Sequence, residues 1–416
     1  MDKFIVEGGV ALKGRVKISG SKNAALPIIA ATILTDKECI LKNIPHLNDT
    51  NVMNKLINSL GGKVVFESNT VRTNNKLIKK FKAPYDLVKT MRASVYVMGA
   101  LLGRYHKAEV AMPGGCIIGE RPINLHLMGF EKLGAKIKIE HGYIKATAKK
   151  LKGADIYLDT VSVGATANLL MASVLAEGET ILRNAAQEPH ILDLCNFLNK
   201  IGAKITGEGS NTITVQGVNS LKGGTYQVIS DYIEAGTFMV AAAITNGKIT
   251  LENAPTGNLE AVKMKLLETG TELKETGKNI TIRGIKTPKP SNIDTAPYPG
   301  FPTDMQAQWM SLMAVSSGTG IINETIWEKR FMHVPELNRM GASISTKGNT
   351  AIVKGVKELS GAPVMVSDLR AGASLVLAGL RAKGTTEISR IYHLDRGYEK
   401  IEKKLEALGA RIKRIK

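Results

Sequence analysis

The strongest constraint on the fold is a short pattern that recurs six times along the 416 residues. Each copy places a glycine after a helical stripe and follows it with a β-prone stretch, as in Leu133-Gly134-Ala135-Lys136-Ile137. A glycine just past a helix end is typical of a cap that needs positive φ. Successive copies lie 68 to 73 residues apart, which is longer than common solenoid repeats. The six copies span residues 60–64, 133–137, 201–205, 269–273, 340–344 and 408–412.

Each repeat is interpreted as strand–helix–strand–helix–strand–strand, which predicts a fold of the α/β (α+β) class. The last repeat stops one strand short at residue 416, whereas the chain opens with a surplus strand around residues 4–6. We therefore expect the N-terminal strand to complete the sixth repeat. Three repeats per domain predict an N-terminal domain of residues 22–229 and a C-terminal domain of residues 1–21 and 230–416. Two connections between the domains would let an active-site cleft open and close.

The composition argues against several classes of protein. No apolar run approaches the roughly 18–20 residues of a membrane span, and the first residues lack the apolar centre of a signal peptide. We therefore expect a cytoplasmic protein with no membrane partner. Three cysteines at wide spacing match no zinc or disulfide pattern. Cys39 lies in an apolar strand and Cys195 on an apolar helical stripe, so both are expected in the core.

The net charge of +19 favours an anionic partner. Aromatic residues make up only 5% of the chain, and no dense basic block with interleaved aromatics occurs. A phosphate-rich small molecule therefore fits the charge better than nucleic acid.

One loop carries a reactive side chain. Residues 113–122 hold three glycines and two prolines, which argue against a regular helix or a central strand. Cys116 lies there five residues before Arg121, and a nearby cation favours the thiolate. The arginine can bind a carboxylate or a phosphate through two parallel hydrogen bonds. We interpret the segment as a lid over a small anionic substrate, with an incidental loop cysteine as the alternative.

Polar and charged residues mark the expected N-termini of the repeat helices. Such ends bind anions through N–H groups and a partial positive charge. Ser162 and Asp304 are also ordinary N-cap residue types, which is the alternative for both. Cations at these ends oppose the helix dipole, so they need an anionic partner from the protein or from a ligand. The residues concerned are Lys22, Arg92, Ser162, Asp304, Asp368 and Arg370.

Two further segments carry candidate site residues. Five prolines between residues 288 and 302 predict a stiff, extended approach that fixes Asp304 as a general base. Arg330 and His333 lie close together in sequence and fit a site or the surface equally well. Arg396, in Asp395-Arg396-Gly397, is a candidate second clamp for an anion.

Together these motifs resemble the enolpyruvyl transferase family over essentially the whole chain. The segments that carry the resemblance are residues 19–24, 113–122, 162–166, 301–308, 330–337 and 392–398. The resemblance implies a two-domain inside-out α/β barrel. Each domain would hold three repeats related by pseudo-threefold symmetry. It also implies transfer of enolpyruvyl from phosphoenolpyruvate to the 3′-hydroxyl of UDP-N-acetylglucosamine, with release of phosphate. This reaction is the first committed step of peptidoglycan synthesis, and it needs no metal and no organic cofactor.

The resemblance also implies roles for single residues. Cys116 matches the family's proton donor, and covalent adducts with phosphoenolpyruvate and with the antibiotic fosfomycin are expected on it. Asp304 matches the family's candidate base. Phosphoenolpyruvate carries a carboxylate and a phosphate, so several polar and cationic groups should bind it. The residues expected to do so are Lys22, Asn23, Arg121 and Arg396.

The UDP-sugar is expected to contact a larger set. Its members are Asn23, Arg92, Arg121, Pro122, Ile123, Asn124, Leu125, Ser162, Val163, Gly164, Asp304 and Ile326, with Arg330, Asp368 and Arg370 as additional candidates. The chain departs from the family pattern at Thr160, where some members have lysine, and at Asn124, where others have aspartate. Both departures concern the nucleotide contacts rather than the chemistry.

Three other functions stay open on the sequence alone. They are an enolpyruvyl transferase with another acceptor, a non-catalytic paralogue that binds UDP-sugars and, on charge only, a nucleic-acid-binding protein. Residues 121–125 and 162–164 favour a nucleotide sugar. Intact Lys22, Cys116, Asp304 and Arg396 favour catalysis over binding alone. No pattern indicates an oligomeric state.

Overall fold

The computed structural model describes residues 2–112 and 123–416. They divide into a first unit, residues 20–112 with 123–229, and a second unit, residues 2–19 with 230–416.

The strands in these ranges are β1 (Lys3–Glu7), β2 (Lys13–Lys17), β3 (Cys39–Lys42), β4 (Lys63–Glu67), β5 (Thr70–Asn74), β6 (Lys82–Ala83), β7 (Lys107–Ala111), β8 (Lys136–Glu140), β9 (Tyr143–Thr147), β10 (Asp155–Tyr157), β11 (Glu179–Arg183), β12 (Lys204–Thr206), β13 (Thr212–Gln216), β14 (Gly224–Gln227), β15 (Lys248–Glu252), β16 (Glu272–Thr276), β17 (Asn279–Arg283), β18 (Ile293–Asp294), β19 (Thr319–Asn323), β20 (Ser343–Lys347), β21 (Thr350–Lys354), β22 (Pro363–Met365), β23 (Thr385–Ser389) and β24 (Arg411–Ile415).

The α-helices are α1 (Lys22–Ala31), α2 (Asn48–Ser59), α3 (Tyr85–Val88), α4 (Tyr96–Tyr105), α5 (Asn124–Lys132), α6 (Val163–Ser173), α7 (Pro189–Lys200), α8 (Tyr232–Ile244), α9 (Glu260–Glu268), α10 (Gln306–Met313), α11 (Val334–Arg339), α12 (Leu369–Arg381) and α13 (Ile401–Ala407). Short 3₁₀ turns lie at Thr32–Leu34, Arg92–Val95, Thr256–Asn258, Thr303–Met305 and Ile391–Arg396.

The glycines of the repeat pattern cap helices, as the sequence predicts. Their φ angles lie between 86° and 107°, a range that glycine adopts without steric cost. These glycines follow α2, α5, α7, α9, α11 and α13, and a strand comes after each of them. The glycine pattern therefore marks the end of the second helix in each of the six repeats.

The described strands form six four-stranded sheets that share one topology. In each sheet one edge strand is parallel to its neighbour, and the other neighbouring strands are antiparallel, as in the sheet of β10, β11, β13 and β12. The orders are β14-β3-β5-β4, β6-β7-β9-β8 and β10-β11-β13-β12 in the first unit, and β2-β15-β17-β16, β18-β19-β21-β20 and β22-β23-β1-β24 in the second. This repetition confirms the predicted α/β repeat fold.

The N-terminal strand completes the sixth sheet, which confirms the expectation from the uneven ends of the repeats. β1 lies between β23 and β24 and is antiparallel to both, with Phe4 opposite Ile388 and Val6 opposite Ile412. A strand distant in sequence also completes the sheet of β3, β4 and β5, because β14 pairs in parallel with β3. Strands distant in sequence therefore close both units.

Helices form the centre of each core, and the sheets cover them. α8 is buried along its whole length and packs against α10 and α12 in the second unit. In the first unit α4 packs against α6 and α1. Small residues allow close approach, since a Cβ at Gly99 would lie 2.3 Å from the carbonyl oxygen of Asn168. Cys39 and Cys195 lie in the first core as expected, and burial raises the pKa of their thiols to about 11 and about 12.

Among residues 2–112 and 123–416, no helix combines the length and the apolar character needed to cross a membrane.

Candidate active site

A carboxylate held by two guanidinium groups lies at the centre of the candidate site in the second unit. Asp304 belongs to the 3₁₀ turn that leads into α10. Its Oδ1 accepts a hydrogen bond from Arg330 Nη2 at 2.8 Å, and its Oδ2 accepts one from Arg370 Nη2 at 2.8 Å. The arginine side chains are 4% and 5% exposed, whereas that of Asp304 is 29% exposed. The helix-cap alternative for Asp304 is therefore wrong, because its carboxylate is used in ion pairs.

The electrostatics of this triad favour the ionised form of Asp304. Desolvation acts to raise the pKa of the carboxyl group, but the positive charges of Arg370 and Arg330 outweigh it and hold the pKa well below its usual range. The triad carries one net positive charge, because two guanidinium groups face one carboxylate. Other carboxylates act on the same cluster, because Asp231 interacts with Arg370 and Asp368 with His333.

Arg370 reaches Asp304 from the first turn of α12. Asp368 is the N-cap of this helix, as the sequence indicates, and its Oδ1 accepts a hydrogen bond from the backbone N of Arg370 at 2.9 Å. The guanidinium carbon of Arg370 lies 5.4 Å from the ring centre of Tyr398. The Tyr398 hydroxyl lies 2.9 Å from Thr237 Oγ1, inside the core of the unit. These contacts orient the arginine before any substrate binds.

The surface alternative for Arg330 and His333 is wrong, because both side chains are buried just before α11. Burial lowers the pKa of His333 to about 4, while the negative charge of Asp368 opposes this effect and the positive charge of Arg330 adds to it. His333 is therefore neutral near pH 7, and it is a poor candidate for an acid in the reaction.

Arg396 and Ile326 lie on separate turns of the second unit. Arg396 ends the 3₁₀ turn Ile391–Arg396 and is half-buried. The preceding Asp395 is paired with Arg414 of β24, whose Nη1 lies 3.2 Å from Asp395 Oδ2. Ile326 follows β19, and its backbone N donates to Glu324 Oε1 at 3.0 Å.

In the first unit, the cation at the start of α1 has an acidic neighbour. Ser21 is the N-cap of this helix, and its Oγ accepts a hydrogen bond from Ala24 N at 3.4 Å. Lys22 Nζ lies 3.7 Å from Oδ2 of Asp49, in the first turn of α2. This separation is too long for a direct hydrogen bond, so the pair compensates charge at a distance. The protein thus supplies an anionic partner for Lys22, and Asn23 follows it on the same turn.

The start of α6 carries the second group of predicted residues. Ser162 is the N-cap, with its Oγ accepting a hydrogen bond from Ala165 N at 3.3 Å, which confirms the capping role. Val163 is the first helical residue. A Cβ at Gly164 would lie 3.1 Å from both Cε1 and Nε2 of His126, tighter than most contacts of this kind. Glycine at this position therefore lets α6 begin directly against α5.

His126 is a residue of the candidate site that the sequence did not single out. Its Nδ1 lies 2.9 Å from Asn168 Nδ2, and Asn168 Oδ1 accepts a hydrogen bond from the backbone N of Gly99 at 2.8 Å. Since the amide nitrogen can only donate, Nδ1 accepts and the ring proton lies on Nε2. Burial, and then the charge of Arg92, lower the pKa of His126 to about 4. A neutral imidazole therefore lies with Nε2 beside Gly164.

The predicted nucleotide segment is described only in part. Cys116, Arg121 and Pro122 lie outside the described residues. Ile123 precedes α5, and Asn124 and Leu125 are its first two residues, with Asn124 exposed. The structure thus brings predicted residues together in two groups, one around Asp304 in the second unit and one around His126 in the first.

Known proteins resemble this chain over its full length. A family model described as EPSP synthase (3-phosphoshikimate 1-carboxyvinyltransferase) matches residues 6–405. The UDP-N-acetylglucosamine 1-carboxyvinyltransferase of Geobacter metallireducens is 56% identical over 416 residues, covering 100% of both chains. The Klebsiella pneumoniae protein of the same name is 54% identical over 420 residues, also covering 100% of both.

Solved structures show the same fold. The enolpyruvyl transferase NikO from Streptomyces tendae matches with a TM-score of 0.90 and 24% identity, covering 100% of this chain and 99% of that one. EPSP synthase from Acinetobacter baumannii matches with a TM-score of 0.77 and 20% identity, covering 100% of both. The repeat fold, the family model and the full-length relatives agree, and the chain belongs to the enolpyruvyl transferase family, within its group of UDP-N-acetylglucosamine 1-carboxyvinyltransferases.

Proposed function

We propose that this chain transfers the enolpyruvyl group of phosphoenolpyruvate to the 3′-hydroxyl of UDP-N-acetylglucosamine and releases phosphate. The observation that carries the proposal is 56% identity over the full length to a relative whose name states 1-carboxyvinyl transfer to that sugar nucleotide. The Asp304 triad supports catalysis over binding alone, because it presents an ionised, partly exposed carboxylate that two guanidinium groups hold in place.

Phosphoenolpyruvate carries a carboxylate and a phosphate, so its binding requires several cations. We assign Lys22, Arg121 and Arg396 to this role, with Asn23 as a polar neighbour of Lys22.

The chemistry needs one proton donor and one base. Cys116 is the proposed donor, which protonates the methylene carbon of phosphoenolpyruvate. The sugar oxygen then bonds to the neighbouring carbon, and its proton passes to Asp304. The low pKa of Asp304 keeps it ionised but makes it a weak base, so it takes the proton late, when the new C–O bond has made the hydroxyl strongly acidic. The thiolate of Cys116 then takes a proton back from the new methyl group as the C–O bond to phosphate breaks, which forms the enol ether. The proton on Asp304 leaves with the phosphate.

Cys116 is also the proposed site of covalent adducts. The sulfur there would bond to the phosphate-bearing carbon of phosphoenolpyruvate as the methylene carbon takes up a proton. It would open the epoxide of fosfomycin in the same way, with the ring oxygen taking up a proton. Cations in the binding site favour the thiolate, whereas proton donation needs the thiol. Bound phosphoenolpyruvate offsets that positive charge, so the substrate itself would restore the thiol form.

For the UDP-sugar, we assign the diphosphate to the start of α6, because backbone N–H groups at a helix N-terminus can bind an anion. The proposed contacts come from Ser162, Val163 and Gly164, and Thr160 adds no positive charge to them. Residues 121–125 are assigned to the nucleotide together with Arg92. Asn23, Asp304 and Ile326 are assigned to the sugar. In the cell this reaction would be the first committed step of peptidoglycan synthesis in the bacterial cytoplasm.

Product analysis tests the proposal. The protein is incubated with both substrates, and the nucleotide fraction is examined by mass spectrometry and proton NMR. We expect UDP-N-acetylglucosamine to gain one enolpyruvyl group, with vinylic methylene signals coupled to the 3′ position. Unchanged sugar nucleotide, recovered from folded protein that binds it, would contradict the proposal and favour the non-catalytic paralogue.

A further inference from the structure

We propose that Thr303 and Glu324 are positioning residues, which hold Arg330 against Asp304, and that Glu324 also sets the backbone at Ile326. The inference rests on the proposed function, because it gives both residues a role at the same site.

Glu324 is a carboxylate that is only 2% exposed, just past the end of β19. Its Oε1 lies 3.0 Å from Thr295 Oγ1, 3.0 Å from the backbone N of Ile326 and 3.1 Å from that of Trp327. Its Oε2 accepts a hydrogen bond from Thr303 Oγ1 at 2.8 Å. Within residues 2–112 and 123–416, no lysine or arginine forms an ion pair with it. Burying a carboxylate in this way is costly, so a local role is needed to explain it.

The direction of each hydrogen bond follows from its donors. A guanidinium group can only donate, so Thr303 Oγ1 accepts from Arg330 Nη1 at 3.1 Å. The single hydroxyl proton of Thr303 is then given to Glu324. Arg330 Nη2 donates to Asp304 Oδ1 at 2.8 Å. An unbroken series of contacts therefore leads from a buried carboxylate to the proposed base.

Each step of this series has a separate consequence. Without the Thr303 hydroxyl, Arg330 loses the contact that fixes Nη1, and the guanidinium group can turn away from Asp304. The orientation of the base toward the sugar hydroxyl is then lost, which lowers kcat. Without the Glu324 carboxylate, the backbone N of Ile326 also loses its acceptor. Binding of the UDP-sugar should then weaken as well.

Four variants of the full chain separate these effects in steady-state kinetics with phosphoenolpyruvate and UDP-N-acetylglucosamine. Thr303→Val should lower kcat by about 10- to 100-fold, as for small displacements of catalytic groups, with much smaller changes in both KM values. Thr303→Ser keeps the hydroxyl and should restore most of the loss. Glu324→Met removes both carboxylate oxygens at similar size and should lower kcat and also raise KM for the UDP-sugar. The matched control is Thr350→Val, whose hydroxyl donates to Asn323 Oδ1 at 2.8 Å in the same sheet, and it should behave as the wild type.

A Thr303→Val variant with wild-type kcat overturns the inference, and so does a loss that Thr303→Ser fails to restore. A lower melting temperature with unchanged kcat marks a purely structural role and overturns it too. If Glu324→Met does not fold, the two Thr303 variants decide. A folded wild type without turnover overturns the proposed function itself, whereas an active wild type with an unaffected Thr303→Val overturns only this inference.

Discussion

At the scale of single residues, burial and near neighbours set the charges of the candidate site. Asp304 and His126 both have a lowered pKa, but for different reasons. Two guanidinium charges overcome desolvation at Asp304, whereas desolvation itself, aided by Arg92, acts on His126. Near neutral pH the first group is therefore a fixed anion and the second a neutral hydrogen-bond donor.

We expect His126 to stay neutral at pH values above about 5, with its proton on Nε2. Its pKa is about 4 in the folded chain against an ordinary value of 6.5, so the unfolded chain binds the proton more tightly. The neutral group therefore supports stability above pH 6.5, and this contribution is lost as the pH falls toward 4. Histidine ring ¹H–¹⁵N NMR, assigned with a His126→Gln variant, measures both properties. A proton on Nδ1, or titration between pH 6 and 7, would show the account to be wrong.

Residue types near expected helix starts pointed to Asp304 and Arg370, because such charged side chains are visible in a sequence. For Arg330 the sequence left a site and the surface equally open. Neither residue types nor local motifs pointed to His126 or Glu324. His126 forms a hydrogen bond with Asn168, on another helix, and Glu324 accepts one from Thr303, on another turn. A single buried histidine or glutamate has no sequence pattern of its own, so only the fold reveals such pairs.

At the scale of elements, the close approach of α4 to α6 holds the His126 group in place. A Cβ at Gly99 would lie 2.3 Å from the backbone oxygen of Asn168 and 2.6 Å from its Oδ1. We expect Gly99→Ala to destabilise the fold by about 1–3 kcal/mol, as overpacked cores do. Urea denaturation measures the change. Gly257→Ala is the matched control, because no atom lies within 4 Å of the added Cβ. Equal stability of the two variants would contradict this packing.

The six glycine caps made the end of the second helix of each repeat predictable, and also the strand that follows it. The strand count made the place of β1 predictable as well. The pairing of β14 with β3, and of β2 with β15, could not be predicted from the sequence, because most or all of the first unit separates the two strands of each pair. Such pairings depend on how helices pack, and no local pattern encodes them.

At the scale of the whole molecule, residues near both ends of the sequence lie side by side in one sheet. Lys3 is opposite Ile415 in neighbouring antiparallel strands. We therefore expect a circular permutant, with a short linker from residue 416 to residue 1 and new ends in the exposed turn at Gly348, to fold and to keep its activity. Thermal unfolding and phosphate release test this. A permutant that fails to fold would contradict the placement of β1 between β23 and β24.

The most direct test of the proposed reaction is the rate of phosphate release from phosphoenolpyruvate, with and without UDP-N-acetylglucosamine. It is measured on the wild type and on the Cys116→Ala and Asp304→Asn variants. We expect release only when the sugar nucleotide is present, with a loss of about 10²- to 10⁴-fold in each variant, as for removal of a general acid or base. Release that ignores the sugar nucleotide, no release from folded wild type, or wild-type rates in both variants would contradict the account.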